Sequence, residues 1–310
     1  MSATPACALH ADRKQMRPFQ WPAREEKAVK AIDVHAHLNT KEMMEVSLGK
    51  YNEAMQKYYK FDLKTNTPEE MARDFIQADV KGILMGWDAE SGSGLPKLAN
   101  ESLAQIVKSF PDAFIGGFAG VDPWKGEMAI KETERAIKEL GLMGLKFQPA
   151  LQAFYPNDRH FYPLWEKCAE LKIPVQFHTG TTGIGAGLPG GMGIKLEYCK
   201  PLLLDAVAAD FPELTIIACH PSWPWQDEMI AVLIHKANVY NELSGWSPKY
   251  FSDALKKEIG GRLQDKFMFG SDYPALTHDR LFKDWDSLGL KPEVLEKVFY
   301  KNAQRILGFQ

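Results

Sequence analysis

Residues 33–37 read Asp-Val-His-Ala-His and close the first strongly apolar run of the chain, Ala28 to Val34. Histidines at i and i+2 on a strand point to the same face. His35 and His37 can therefore reach one point in space, and neutral imidazole is a good ligand for a divalent metal. One such pair could equally be two polar residues on a solvent-facing strand. Three further segments make that reading the weaker one: Gln176-Phe177-His178-Thr179-Gly180, Ala218-Cys219-His220-Pro221 and Gly270-Ser271-Asp272-Tyr273-Pro274. Each follows a short hydrophobic run and opens into a loop. The chemistry expected of such a set is metal-bound hydroxide near neutral pH, or a polarised substrate oxygen.

The elements that must position these residues alternate along the chain. Strands are expected over 29–35, 81–87, 113–120, 143–148, 173–178, 214–220, 238–243 and 266–271, as short Ile-, Val-, Leu- and Phe-rich runs of the kind buried on both faces. Helices are expected between them. Thr67-Pro68-Glu69-Glu70 is a capping box with proline at the first helical position, opening a helix to about Ala78. Further helices are read at 101–110, 126–140, 161–171, 202–211, 226–236, 248–259 and 292–307. This alternation matches a single (β/α)8 TIM barrel over 28–310. An open doubly wound sheet would carry a glycine-rich phosphate loop after its first strand, where this chain has His35-Ala36-His37-Leu38-Asn39. In a barrel the active site lies at the C-terminal ends of the strands. His35, His37, His178, His220 and Asp272 then converge on one mouth.

Two connections exceed the usual barrel linker length. One is 39–66, with Met43, Met44, Tyr51, Met55, Tyr58 and Tyr59; the other is 179–195, with the run Gly183, Gly185, Gly187, Gly190, Gly191 and Gly193. Both follow ligand-bearing strands and should sit over the mouth. The glycine run lacks the spacing and the Lys-Ser/Thr of a phosphate loop. It reads as a mobile lid, a close approach to substrate or a plain flexible loop. The Met/Tyr cluster reads equally as packing or as substrate contact.

Composition narrows the partners. The 310 residues are 45% hydrophobic and 25% charged, with a net charge of −3. That is ordinary globular composition without a basic stripe, which argues against nucleic acid and anionic membrane. The four cysteines, Cys7, Cys168, Cys199 and Cys219, form no CxxC pair, so neither a disulfide framework nor a cysteine zinc site is expected. No apolar stretch approaches the roughly 20 residues of a membrane helix. Residues 1–27 lack an apolar segment of signal-peptide length and read as an extended N-terminal arm on a cytoplasmic protein. The expected partners are a small molecule and, at most, a second copy of the chain in a homodimer.

Five motifs taken together, DVHAH (33–37), GLKFQP (144–149), PVQFHTG (174–180), IIACHPSWPWQDE (216–228) and FGSDYP (269–274), resemble the amidohydrolase superfamily. The likeness is to the amidohydrolase-2 branch that includes aminocarboxymuconate-semialdehyde decarboxylase and aromatic-acid decarboxylases. It spans roughly residues 28–308. It implies one metal ion, Zn²⁺ or Mn²⁺, held by His35, His37, His178 and Asp272, with His220 and Asp272 as acid/base residues. Asp33 occupies the place of a metal-binding glutamate in some relatives. Its other reading is a residue hydrogen-bonded at the barrel floor, one layer below His35. Lys146 ends the fourth strand, where binuclear relatives carry a carbamylated lysine. It reads also as a contact to a substrate carboxylate, or as a salt-bridge partner of Asp272. His160 and His278 read as loop residues, His235 as helical and His10 as part of the arm, all four structural or exposed.

The resemblance implies non-oxidative decarboxylation of an unsaturated or aromatic acid. Hydrolysis of a lactone, amide or related ring uses the same ligands and is the alternative. An inactive binding or scaffold barrel is the remote third, disfavoured because the residue set is complete. The family's carboxylate-clamping arginine has no counterpart in 39–66. Trp223, Trp225, Trp246, Phe147 and Tyr273 near strand ends suggest an aromatic-lined pocket for a ring-sized acid or lactone, with Lys146, Trp223 and Trp225 as the substrate-contact candidates.

Overall fold

In a computed structural model the chain is described over residues 29–60 and 64–309; the arm expected over 1–27 lies outside them. Eight parallel strands follow one another in chain order around one sheet: β1 (Ala31–His37), β2 (Val80–Met85), β3 (Phe114–Gly120), β4 (Gly144–Phe147), β5 (Val175–His178), β6 (Ile216–Cys219), β7 (Val239–Glu242) and β8 (Phe267–Met268). The sheet closes on itself through Val34 N–H to Phe269 O (3.0 Å), Asp272 N–H to His35 O (2.9 Å) and His37 N–H to Tyr273 O (3.0 Å). The fold is a (β/α)8 barrel, as the alternation predicts.

Strand parity divides the side chains into two layers. Leu84, Ala119, Leu145, Phe147, Phe177, Ala218 and Phe269 face outward and pack under the helices. Ile32, Val34, Ile83, Met85, Phe118, Ile217 and Met268 face inward and close the lower barrel. The parity of β1 changes at its centre. Asp33 pairs with Gly82 and Ala36 with Leu84, so three steps on β1 oppose two on β2. An inserted residue of this kind bends a strand and re-aims its side chains. Below the slip Val34 faces inward; above it Ala36 and Leu38 join the outer layer, and the inward positions pass to His35 and His37.

Asp33 lies below the slip and so belongs to the outer layer. This corrects its placement at the barrel floor. Its carboxylate accepts from His35 N–H (3.1 Å), Ser271 N–H (3.0 Å), Ser271 Oγ–H and His278 Nε2 (2.8 Å). The acceptor sites are filled, and the group ties β1 to the segment after β8. His278 is likewise corrected: it is buried and opens the helix His278–Asp286.

The capping box is present, with Thr67 and Glu70 bonding reciprocally at the start of Pro68–Gln77. The helix expected over 248–259 divides into a turn, Pro248–Tyr250, and a helix, Asp253–Ile259, because Ser247 and Ser252 each cap a separate start. Connection 39–66 holds the helix Lys50–Tyr59, which packs on the glycine loop: a Cβ at Gly187 would stand 2.0 Å from the Tyr58 ring, and one at Gly183 3.0 Å from Met55 Sδ. Both long connections therefore lie over the mouth. Among the described residues no helix is long and apolar enough to cross a membrane.

Candidate metal centre and its cavity

Three local devices aim side chains at the mouth. The slip in β1 supplies His35 and His37. His220, one residue past β6, takes φ 68°, and Asp272, past β8, takes φ 59°. Non-glycine residues seldom adopt the left-handed region, and those that do cluster at functional sites. At both positions the turn brings a side chain onto the wall of the cavity above the barrel.

The polar atoms meet closely. His35 Nε2 lies 3.1 Å from His37 Nε2, and these two nitrogens stand 3.4 and 3.5 Å from Asp272 Oδ1. His220 Nε2 lies 3.0 Å from His178 Nδ1. Ligand atoms of His35, His220 and Asp272 all fall within 4.8 Å of one another. His178 meets this group through His220. The five expected residues are thus brought together, with His220 as central as the histidines read as ligands.

The outer nitrogens decide what the inner ones present. His35 Nδ1 bonds Glu242 Oε1 at 2.7 Å, His220 Nδ1 bonds the Ser244 carbonyl at 3.1 Å, and His178 Nε2 bonds the Thr181 carbonyl at 3.1 Å. A carboxylate or carbonyl oxygen accepts, so each outer nitrogen carries the hydrogen and each inner one a lone pair. Burial, reinforced by Lys146, lowers His37 and His178 to about 3. Burial likewise holds His35 and His220 well below the usual histidine range. Uncharged imidazoles with lone pairs facing one another and a carboxylate are short of a cation, and this donor set fits a divalent metal. Asp272 moves the other way: burial, then the nearby Glu242, raise its carboxyl to about 7.

Glu242 at the end of β7 is a site residue the sequence reading missed. It is fully buried and accepts also from the backbone N–H groups of His220 (3.2 Å) and Ser244 (2.9 Å). Its only sequence signal is parity: two residues past Tyr240, it continues the inward row. Lys146, inward on β4 and almost fully buried, donates to Cys219 Sγ at 2.7 Å. Burial pushes the Cys219 thiol up.

The cavity has a volume of about 780 Å³. Its wall includes Lys146, Gln148, Trp87, Trp223, Trp246 and Tyr273, together with Met43, Met44, Met55, Tyr58 and Tyr59 from the first long connection. Trp225 lies outside that wall, with Lys200 Nζ 6.0 Å above its ring. Phe147 is in the outer core, stacked on Phe177 at 5.3 Å. Arg280, from the helix after β8, reaches the cavity where 39–66 supplies no arginine.

A family profile described as Amidohydrolase matches residues 32–309. The chain belongs to the amidohydrolase family. Among curated members, gamma-resorcylate decarboxylase of Polaromonas sp. is 30% identical over 71% of this chain and 78% of its own length. The 2-amino-3-carboxymuconate-6-semialdehyde decarboxylase of Dictyostelium discoideum is 27% identical over 83% and 79%. Among solved structures, a dihydroxybenzoic acid decarboxylase of Polaromonas sp., with bound manganese and the inhibitor 2-nitroresorcinol, superposes with a TM-score of 0.65. It is 19% identical, and the match covers 90% of this chain and 96% of that one. In this amidohydrolase the profile takes in β1, with His35 and His37, and the other three strand-end segments, which hold His178, His220 and Asp272.

Proposed function

We propose that this amidohydrolase is a metal-dependent carboxy-lyase that releases CO₂ from an aromatic or unsaturated carboxylic acid without redox chemistry. The observation that carries the reading is geometric: His35 Nε2 and His37 Nε2 stand 3.4 and 3.5 Å from Asp272 Oδ1, with His220 Nε2 3.0 Å from His178 Nδ1. It joins a metal-ligand set to side chains of the kind that transfer protons in catalysis. The curated relatives named above are decarboxylases of small acids, which supports the same reading.

His35, His37, His178 and Asp272 would hold one divalent ion, zinc or manganese; the similar Polaromonas structure holds manganese. When bound, the ion would withdraw electron density from the substrate carboxylate and an adjacent oxygen. The remaining work belongs to the chain. Lys146 places a buried cation on the cavity wall, suited to a substrate carboxylate. As the C–C bond to the carboxylate breaks, its electron pair stays on the ring carbon, which takes a proton from Asp272 or His220. Ser244 holds the His220 hydrogen on Nδ1 and leaves an Nε2 lone pair facing the site, so His220 would pass a proton to carbon only after first accepting one there. Glu242 keeps His35 in its ligating tautomer.

The test is a screen of purified protein against aromatic acids and lactones, with CO₂ release and ring opening read in parallel. CO₂ from an acid, with the acid's proton count restored on carbon, is the expected outcome. Ring opening without CO₂ would replace this reading with metal-dependent hydrolysis.

A further inference from the structure

The cavity is larger than a one-ring acid requires. Pockets of about 300–1,000 Å³ serve drug-sized ligands, and at about 780 Å³ this one lies toward the upper end. It has two unlike ends. The inner end is polar and buried, with Lys146, His178 and His220 each under a tenth exposed. The outer end carries aromatic rings open to solvent: Tyr58 is 54% exposed, Trp223 49% and Tyr250 68%. All three line the same cavity. Single exposed apolar residues are ordinary, whereas several on one wall mark a binding surface. Trp223 is backed by Trp246, with ring centroids 5.9 Å apart, so its ring is held in place while one part stays open.

A cation stands at the same end. Arg280 Nε is 3.7 Å from Asp284 Oδ2, too far for a hydrogen bond. That carboxylate is already held by Lys249 Nζ at 2.6 Å and Ser247 Oγ at 2.7 Å. The Arg280 side chain is 58% exposed. Its guanidinium is therefore only weakly committed within the protein and can pair with a ligand oxygen.

We propose that the outer end is a second aromatic subsite, so that the substrate is a two-ring acid. The first ring presents its carboxylate to the inner end. The second lies against Trp223 and carries an anionic oxygen to Arg280. This rests on the carboxy-lyase reading for the chemistry at the inner end, but not for binding at the outer one.

The test is calorimetric titration of the metal-loaded full chain with benzoate and with biphenyl-4,4′-dicarboxylate. Wild type should bind the two-ring acid at least tenfold more tightly. Trp223→Ala and Arg280→Gln should each bring that ratio to within about threefold of unity, and Trp223→Phe should restore it. Thermal unfolding confirms that each variant is folded. A wild-type ratio near one, or a ratio unchanged in both variants, overturns the subsite. So does a Trp223→Ala protein that sediments as a smaller species with its ratio intact, since the rim would then be an interface between copies. Loss of the carboxy-lyase reading looks different: no CO₂ from any acid, with the affinity ratio and its response to the variants preserved.

Discussion

Glu242 Oε1 accepts a 2.7 Å hydrogen bond from His35 Nδ1. That bond sets which nitrogen of His35 faces the mouth. Outer-sphere partners of this kind commonly account for 10- to 100-fold in metal affinity. Glu242→Gln should therefore leave a folded barrel whose metal affinity drops by about that factor. Competition with a calibrated chelator measures it. Unchanged affinity would show that His35 does not depend on Glu242.

Gly270 has no room for a side chain beside this group. A Cβ there would stand 2.6 Å from Glu242 Oε2 and 2.8 Å from Ser244 Cβ. Overpacking in a tight interior costs about 1–3 kcal/mol. Gly270→Ala should lower stability to denaturant by that amount and lower metal occupancy with it. A stability loss with full occupancy would mean that Glu242 can move without releasing His35.

The positions of these groups were legible in the sequence to different depths. Alternating apolar runs and helices gave the barrel, and strand-end placement gave His35, His37, His178, His220 and Asp272. Glu242 was not legible, because an Asn-Glu pair closing a strand also describes an ordinary solvent-facing end. The slip in β1 was invisible for a physical reason: pairing partners, not composition, decide a bulge, and it moved Asp33 to the opposite face from the one expected. The left-handed turns at His220 and Asp272 carry no glycine to announce them. His278 was lost in a connection after β8 whose helix starts without a side-chain cap.

Asp33 then predicts the reverse pattern to Glu242. Its carboxylate bonds Ser271, His278 and the His35 backbone, away from the cavity. Asp33→Ala leaves several of these donors without an acceptor, at about 1–3 kcal/mol for a buried group. The melting temperature should fall clearly while metal content per folded chain stays at the wild-type value. Selective metal loss without loss of stability would instead make Asp33 a ligand.

His178 and His220 lie 3.0 Å apart but are assigned different work. His178→Ala should lose both metal and turnover. His220→Ala should keep the metal and lose about 10²- to 10⁴-fold in turnover, the usual weight of a positioned proton-transfer group. Elemental analysis and turnover, measured on the same preparations, separate the two. Equal metal loss in both variants would place His220 among the ligands.

Asp272→Asn keeps the shape of the side chain and removes its capacity to hold and return a proton. Turnover should fall by at least about 10²-fold, with thermal unfolding close to wild type. Near-normal turnover with reduced stability would make Asp272 a structural residue.

CO₂ release from a responsive aromatic acid, before and after removal of bound metal by a chelator and again after its return, tests the account most directly. Protein purified without chelator should carry about one divalent ion per chain, since Lys146 donates to Cys219 and is not read as a bridge to a second metal. Turnover should vanish on stripping and come back with zinc or manganese. Full CO₂ release from metal-free protein would contradict the account.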